Sequence, residues 1–476
     1  MLFNSYSFFL FFISVTILYF LLRHKYRWLL LLVASCYFYM YFVPVYILIL
    51  FITIVIDYYA GLAIENAKPD RKKQFLILSI VANVGILFMF KYFNFFNEQF
   101  AHLTDFFHHP NPIPYIDILL PIGLSFHTFQ AMSYTIEVYR GNQKAERHFG
   151  YYALYVMYYP QLVAGPIERP QNVLHQFHTP QVWNTDRVIY GLQLMVWGLF
   201  KKVVVADRLS IVVNSYYSGT DGWNYLIASL FFAFQIYCDF SGYSDIAIGS
   251  SKVMGIDLMQ NFDKPYFSRT ISEFWSRWHI SLSSWFKDYV YIPLGGNRTT
   301  TAKWIRNIVV VFILSGIWHG ANYTFLIWGL LHAVYTLGEL WIKKSVNNRF
   351  VLKLVFNRLS TFSLVCFAWI FFRLHSLAEC LHKIREILFS IKKMVGQFYR
   401  YGGVDSLFLY WNSLTSDFNV VLSMFAIGTL LLADWQFNLY EKKFSGKAAF
   451  MFFWICLLII GLFGVNGHEQ FIYFQF

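Results

Sequence analysis

One histidine of this chain lies within a long apolar stretch. His319 falls in residues 308–331, and no Asp, Glu, Lys or Arg occurs between Ile308 and Glu339. An imidazole placed at bilayer depth costs free energy, so such a group is by default an indication of function. Burial also disfavours the imidazolium form. The sequence therefore predicts a neutral ring that can act as a base.

Polar residues at helical spacing accompany His319. Ser315, His319 and Asn322 fall at i−4, i and i+3, which places them on one face of a helix. Gly316 and Gly320 permit other backbones to approach closely. We expect this polar stripe to face a cavity or tunnel rather than lipid, with Ser315 or Asn322 holding the tautomer of His319.

A second candidate, His279, lies in an aromatic segment of a different kind. Residues 267–296 read FSRTISEFWSRWHISLSSWFKDYVYIPLGG. At helical pitch the segment has one apolar face and one polar face, which predicts an amphipathic helix lying at the membrane interface. His279 falls at the edge of the aromatic face, near Trp275 and Phe286. The alternative is a hydrogen-bonded packing histidine within an aromatic belt.

Two aspartates occur in a third segment, residues 237–245, which reads YCDFSGYSD. Asp239 and Asp245 are able to bind a cation or to orient a histidine. The alternative, which we favour over metal binding, is that Ser241 or Ser244 opens a following helix as its N-cap. That reading leaves Asp245 available for a hydrogen bond that supports a catalytic residue.

The elements that must position these residues are membrane helices. Hydrophobic residues make up 57% of the chain and charged residues 13%, whereas soluble domains carry about a quarter charged residues. The 476 residues have room for roughly ten to twelve transmembrane and re-entrant helices. The five cysteines show no Cys-x-x-Cys spacing, so neither a disulfide framework nor a metal site is indicated. The net charge of +12 fits basic cytoplasmic loops better than nucleic-acid binding.

Basic clusters predict the orientation of the chain. Pairs of apolar segments separate the first three clusters, so a cytoplasmic location for all three places the N-terminus outside. We predict one membrane domain over residues 1–476. Within it, the basic and less hydrophobic stretch 380–418 reads as an interfacial or cytoplasmic insert, and Gly242 is a predicted break point. The basic clusters are 23–27, 68–73, 140–147, 201–202 and 343–353.

Taken together, these segments resemble the membrane-bound O-acyltransferase family. Within that family the resemblance is to the bacterial branch with the alginate O-acetyltransferase membrane subunit and the D-alanine exporter of teichoic acid modification. The final FIYFQF, residues 471–476, resembles the end of alginate-type members. The other matching segments are 121–130, 161–170, 238–249, 266–296 and 318–328.

The resemblance implies a fold and a set of site residues. The family fold is a ring of helices around a thinned centre with a tunnel, so an all-α architecture is expected. The family reaction moves an acyl group from a thioester to a hydroxyl. The resemblance maps a catalytic histidine onto His319, which would be the general base that takes the hydroxyl proton. It maps an upstream polar residue onto His279, which would orient the thioester or polarise its carbonyl. Trp278, Trp318 and Asp245 are expected to line the tunnel or support the site.

The resemblance also implies a substrate and partners. We expect transfer of acetyl from cytoplasmic acetyl-CoA for O-acetylation of an extracytoplasmic polysaccharide, alginate or another exopolymer, with no bound cofactor. A periplasmic or extracellular acetyltransferase would act as partner, and the location would be the bacterial inner membrane. One alternative is D-alanyl transfer to teichoic acid from a loaded carrier protein. The other is a non-enzymatic transporter in which His319 relays protons.

Overall fold

The computed structural model is all-helical over the residues that it describes. These are 1–116, 120–163, 165–345, 353–401, 412, 415–441, 444–465 and 471–472, and no β-strand occurs among them. The expected all-α fold is therefore confirmed. Residues 473–476, most of the FIYFQF motif, lie outside the described part of the chain.

The chain forms two compact units. The first comprises Met1–Met195 and Tyr243–Gln260, and the second comprises Val196–Gly242 and Asn261–Phe476. Two helices, Thr185–Leu199 and Gly222–Met254, contribute residues to both units. The other α-helices of the first unit are Tyr6–Leu21, His24–Met40, Ile47–Asn66, Pro69–Leu87, Phe93–Phe106, Leu124–Arg140, Phe149–Met157, Tyr159–Leu162 and Pro170–His178, with a 3₁₀ turn at Pro44–Tyr46 and a π-helix at Phe88–Tyr92.

The second unit contains the segments that carry both candidate histidines. It includes two π-helical stretches, Phe200–Ala206 and Lys287–Tyr291, and a 3₁₀ turn at Pro265–Phe267. Its other α-helices are Asp207–Tyr217, Ile271–Arg277, Ile280–Phe286, Thr301–His319, Tyr323–Ser345, Lys353–Arg373, Leu377–Tyr401, Phe418–Gln436 and Gly446–Phe463.

Seven helices in the described part of the chain are long and apolar enough to cross a membrane. The chain is therefore a multi-pass membrane protein. The estimate of ten to twelve helices, the external N-terminus, the single domain with its insert, and the ring with a tunnel stay predictions. The seven segments are Pro44–Asn66, Pro69–Phe106, Thr185–Tyr217, Gly222–Met254, Thr301–His319, Phe418–Gln436 and Gly446–Phe463.

The hairpin of helices Thr301–His319 and Tyr323–Ser345 depends on glycines at its contact. A Cβ atom on Gly316 would lie 2.4 Å from the backbone oxygen of Phe325, and one on Gly329 would lie 2.3 Å from that of Phe312. The two backbones come this close only because neither residue has a side chain. The predicted close approach at Gly316 is confirmed, and it brings the end of the first helix against the start of the second.

The segment with the two aspartates does not open a helix. Ser241 and Ser244 lie well inside the 33-residue helix Gly222–Met254, so the N-cap interpretation is wrong. Gly242 does not break that helix either. A Cβ atom on Gly242 would lie 2.7 Å from the backbone oxygen of Gly198, so this glycine serves close helix packing.

The lysine pair at 201–202 does not mark a cytoplasmic loop. It lies in the π-helix Phe200–Ala206, and Lys202 is buried. Nζ of Lys202 lies 2.8 Å from a carboxylate oxygen of Asp207 and 2.6 Å from a carboxylate oxygen of Asp239. A lysine can be buried in this way when carboxylates compensate its charge. The basic cluster was therefore misassigned, because the compensating Asp239 is distant in sequence.

Candidate active site

The aromatic segment around His279 is broken rather than continuous. One helix ends at Arg277, the next begins at Ile280, and His279 between them has φ 44° and ψ 55°. The prediction of one continuous helix is wrong, whereas its location at the membrane interface stays a prediction. Tertiary hydrogen bonds override the helical period, because the backbone N–H of Ile280 donates to the backbone oxygen of Asn261 at 2.9 Å. Left-handed backbone at a non-glycine residue costs about 1–3 kcal/mol and clusters at functional sites.

His279 is buried within the second unit. Only 1% of the residue is exposed. Its ring centroid lies 4.7 Å from that of Phe240 and 6.1 Å from that of Trp318. Burial lowers the pKa of His279 to about 3, so the ring is neutral at physiological pH.

The tautomer of His279 follows from its partner. Nδ1 lies 3.1 Å from Oδ1 of Asn261, which also accepts the backbone N–H of Ser281 at 3.2 Å. Because a backbone N–H can only donate, the shared Asn261 atom is the oxygen. In a neutral ring Nδ1 then carries the proton and donates to Asn261, and Nε2 is left as a hydrogen-bond acceptor.

His319 is the last residue of the helix Thr301–His319 and is enclosed by aromatic rings. It is 5% exposed. Its ring centroid lies 4.9 Å from that of Trp318, 5.0 Å from that of Trp328 and 5.1 Å from that of Phe372. Trp318 thus lies beside both His319 and His279. The structure brings the two predicted histidines and one predicted tryptophan into a single cluster.

Asn322 does not share the helical face of His319. The helix ends at His319, and Gly320 is extended with φ −171°. The Asn322 amide donates to the backbone oxygen of His375 at 2.5 Å, and its Oδ1 accepts the N–H of Thr324 at 3.0 Å. The predicted three-residue stripe is therefore wrong at Asn322, which organises the start of the next helix. Ser315, one turn before His319, is buried, and its supporting role stays a prediction.

The remaining predicted residues are buried in different parts of the chain. Trp278 lies in the second unit, with its ring 5.1 Å from that of Phe262 and 5.0 Å from that of Trp369. Asp245 belongs to the first unit, within the helix Gly222–Met254. The supporting roles of Trp278 and Asp245 stay predictions.

The sequence interpretation missed a further buried histidine beside this cluster, His332. It is fully buried, and the indole N–H of Trp275 donates to its Nδ1 at 3.3 Å. Its ring centroid lies 5.0 Å from that of Trp328. A signal was present, because His332 falls in the same uncharged run as His319, which ends only at Glu339. Nothing local in the sequence indicated Asn261 as the partner of His279.

The seven apolar helices and the histidines buried among aromatic rings define the class as a polytopic helical membrane protein with a polar cluster in its core. The family model described as "MBOAT, membrane-bound O-acyltransferase family" matches residues 16–380. The chain belongs to this family, as the resemblance predicted. It is therefore an O-acyltransferase, and the non-enzymatic transporter alternative is set aside.

Three relatives illustrate the range of this similarity. The probable alginate O-acetylase of Pseudomonas aeruginosa is 37% identical over 402 residues, covering 82% of this chain and 75% of the relative. The peptidoglycan O-acetyltransferase of Helicobacter pylori is 35% identical over 389 residues, covering 75% and 73%. The teichoic acid D-alanyltransferase of Bacillus subtilis is 29% identical over 299 residues, covering 57% and 73%.

Proposed function

We propose that this chain is an acetyltransferase of the bacterial inner membrane. It takes acetyl from a cytoplasmic thioester, acetyl-CoA, for O-acetylation of an extracytoplasmic polysaccharide, with His319 as general base. The observation that carries the proposal is His319 itself, buried at the end of an apolar helix and enclosed by Trp318, Trp328 and Phe372. The acetylating relatives match more of the chain at higher identity than the D-alanyl relative does.

The chemistry requires a base because a hydroxyl is a poor nucleophile at neutral pH. His319 takes the hydroxyl proton as the new C–O bond forms, and it returns a proton to the thiolate as the C–S bond breaks. A positioned base of this kind contributes about 10²–10⁴-fold in rate. The aromatic rings around His319 exclude water, which favours transfer to the hydroxyl over hydrolysis of the thioester.

His279 has a supporting role in this proposal. Of the two roles expected for it, orientation of the donor thioester fits the Nδ1–H tautomer, because Nε2 can accept an N–H from an amide of the donor. Polarisation of the carbonyl does not fit, because that role needs a donor at Nε2. The hydrogen bond to Asn261 Oδ1 supports the first role over the second.

We further propose that a separate extracytoplasmic acetyltransferase completes the modification of the polysaccharide. The chain would deliver acetyl to the outer side, and the partner would place it on the polymer. Co-purification of this chain with a secreted acetyltransferase encoded nearby, and acetylation of polymer only when both are present, is the expected result. Polymer acetylation by this chain alone would contradict the need for a partner.

The donor and the base can be tested together in lipid nanodiscs. Purified protein is given labelled acetyl-CoA or a carrier protein loaded with D-alanine, and acyl transfer to a hydroxyl acceptor is followed. We expect transfer from acetyl-CoA, and a loss of about 10²–10⁴-fold in kcat for His319→Ala. His382→Ala, at an exposed position, is the matched control and should retain the wild-type rate. Transfer from the carrier protein alone would favour the D-alanyl alternative, and a fully active His319→Ala would exclude the base.

A further inference from the structure

One face of the helix Tyr323–Ser345 carries a column of buried hydrogen-bonding side chains. Thr324, Trp328 and His332 are spaced at i, i+4 and i+8, and each is fully buried. Residues at this spacing lie above one another on a helix. The ring centroid of Trp328 is 5.0 Å from that of His319 and 5.0 Å from that of His332. This face of the helix therefore borders the proposed base.

Three N–H groups near this face have no hydrogen-bond acceptor among the residues that the structure describes. They are Nε1 of Trp328, Nε1 of Trp369 and Nε2 of His332. Trp369 is 1% exposed, and its ring stacks 6.0 Å from that of Trp328. Buried polar groups in native proteins are almost always satisfied. Three such groups around two stacked indoles point to a ligand that brings acceptors.

Nε2 of His332 is a hydrogen-bond donor because Trp275 already donates to the other ring nitrogen, Nδ1. The indole N–H of Trp275 can only donate, so Nδ1 of His332 is the acceptor in the 3.3 Å hydrogen bond between them. The proton of the neutral His332 ring is then on Nε2. All three groups without a protein acceptor are thus N–H donors on rigid aromatic rings, and none carries a formal charge.

We propose that the N–H groups of Trp328, Trp369 and His332 form a donor site for the carbonyl oxygen of the acyl group. This inference rests on the proposed function. As the acceptor hydroxyl attacks the carbonyl carbon and His319 takes its proton, the C=O electron pair moves onto the oxygen. The donors stabilise that developing negative charge in a site shielded from water. The C=O bond re-forms as the thiolate leaves and accepts the proton held by His319.

The chemistry of the three groups selects this ligand. The three N–H groups can only donate, so they fit an atom that only accepts. A carbonyl oxygen carries no proton, and its two lone pairs become three as the oxyanion forms. Neutral donors fit a group that is uncharged in the bound thioester and becomes negative only in the transition state. His279 does not supply such a donor, because its Nε2 is an acceptor.

The test replaces one atom. Introducing 3-benzothienylalanine at position 328 by genetic code expansion keeps the fused ring but puts sulfur where Trp328 has its N–H. We expect kcat to fall about 10²–10³-fold, the usual effect of removing one oxyanion donor, with little change in KM for acetyl-CoA. The same replacement at Trp369 should give a loss in the same direction. The matched control is the same replacement at Trp435, which is 74% exposed and should keep the wild-type kcat.

A second readout does not depend on turnover. The carbonyl stretch of bound acetonyl-CoA, a ketone that cannot transfer its acyl group, is measured by infrared difference spectroscopy with ¹³C labelling. Wild-type protein should shift the band to lower frequency, and the Trp328 replacement should reverse part of that shift. Wild-type kcat and an unchanged band at both positions would overturn the donor site. If the donor site is overturned in this way while His319→Ala is inactive in the same assay, the proposed function still holds.

Discussion

The two histidines that flank His319 are held in opposite tautomers. His279 lies beyond Trp318 and donates through Nδ1 to Asn261, so its Nε2 is an acceptor. His332 lies beyond Trp328 and accepts at Nδ1 from an indole, so its Nε2 carries the proton. One ring therefore offers a lone pair and the other an N–H, although both are neutral and fully enclosed. Whether the neutral partner of each histidine accepts or donates a hydrogen bond therefore decides which function that histidine can perform.

The two histidines also differ in how the backbone holds them. His279 sits at a break between two short helices with left-handed backbone, whereas His332 lies inside the helix Tyr323–Ser345. A helix positions His332 through its own hydrogen bonds. The position of His279 depends on contacts from Asn261, so loss of Asn261 should cost more activity than loss of the Trp275 N–H that donates to His332.

Among the substitutions that compare His279 and His332 with their partners, the largest effect is expected at His279 itself. His279→Asn removes the imidazole while keeping a residue that tolerates left-handed backbone. We expect kcat/KM for acetyl-CoA to fall about 10²-fold or more, with the thermal unfolding temperature close to that of the wild type. Because Ala is more strained at this φ, His279→Ala should lose both activity and stability. An unchanged kcat/KM for His279→Asn would show that His279 is a packing residue, and its tautomer would then have no functional meaning.

A smaller effect is expected from replacing Asn261, the hydrogen-bond partner of His279. Asn261→Leu leaves the Nδ1–H of His279 without its acceptor, which costs about 1–3 kcal/mol. The ring can then change tautomer, and we expect kcat to fall about tenfold. The nitrogen chemical shifts of ¹⁵N-labelled histidine should report loss of the Nδ1–H form. Asn261→Asp retains an acceptor oxygen and should restore most of the activity. Equal losses for the Leu and Asp variants would contradict a role in setting the tautomer.

The smallest effect is expected at Trp275. Trp275→Phe keeps an aromatic ring but removes the N–H that donates to His332 at 3.3 Å. A neutral hydrogen bond of this kind contributes about 1 kcal/mol, so kcat should fall only severalfold. Combining Trp275→Phe with Asn261→Leu sharpens the comparison. If the tautomers of His279 and His332 are set independently, the losses of transition-state stabilisation in the two single variants should add to within about 0.5 kcal/mol. A larger coupling free energy in this double-mutant cycle would show that the two histidines are set together.

Much of the class and part of the site could be predicted from local patterns. Composition and long apolar runs identify a membrane protein, because burial in lipid requires apolar side chains on most of a helix. The uncharged run around His319 identified its buried environment correctly. The end of the helix near His319 was not predicted correctly. Asn322 fitted the helical period, but the helix ends at His319 because the Asn322 side chain bonds to the backbone of Thr324 and His375.

The sequence by itself determined the membrane class, the family and the apolar run that contains His319, since composition, motifs and apolar runs are read directly along the chain. Only the tertiary structure decided the break at His279, the burial of Lys202 and the two tautomers. The partners responsible are Asn261 for His279, Asp239 for Lys202 and Trp275 for His332. Each partner reaches its target through folding rather than through helical spacing. A periodic pattern records which side chains share a face, but it does not record which distant donor or acceptor that face meets.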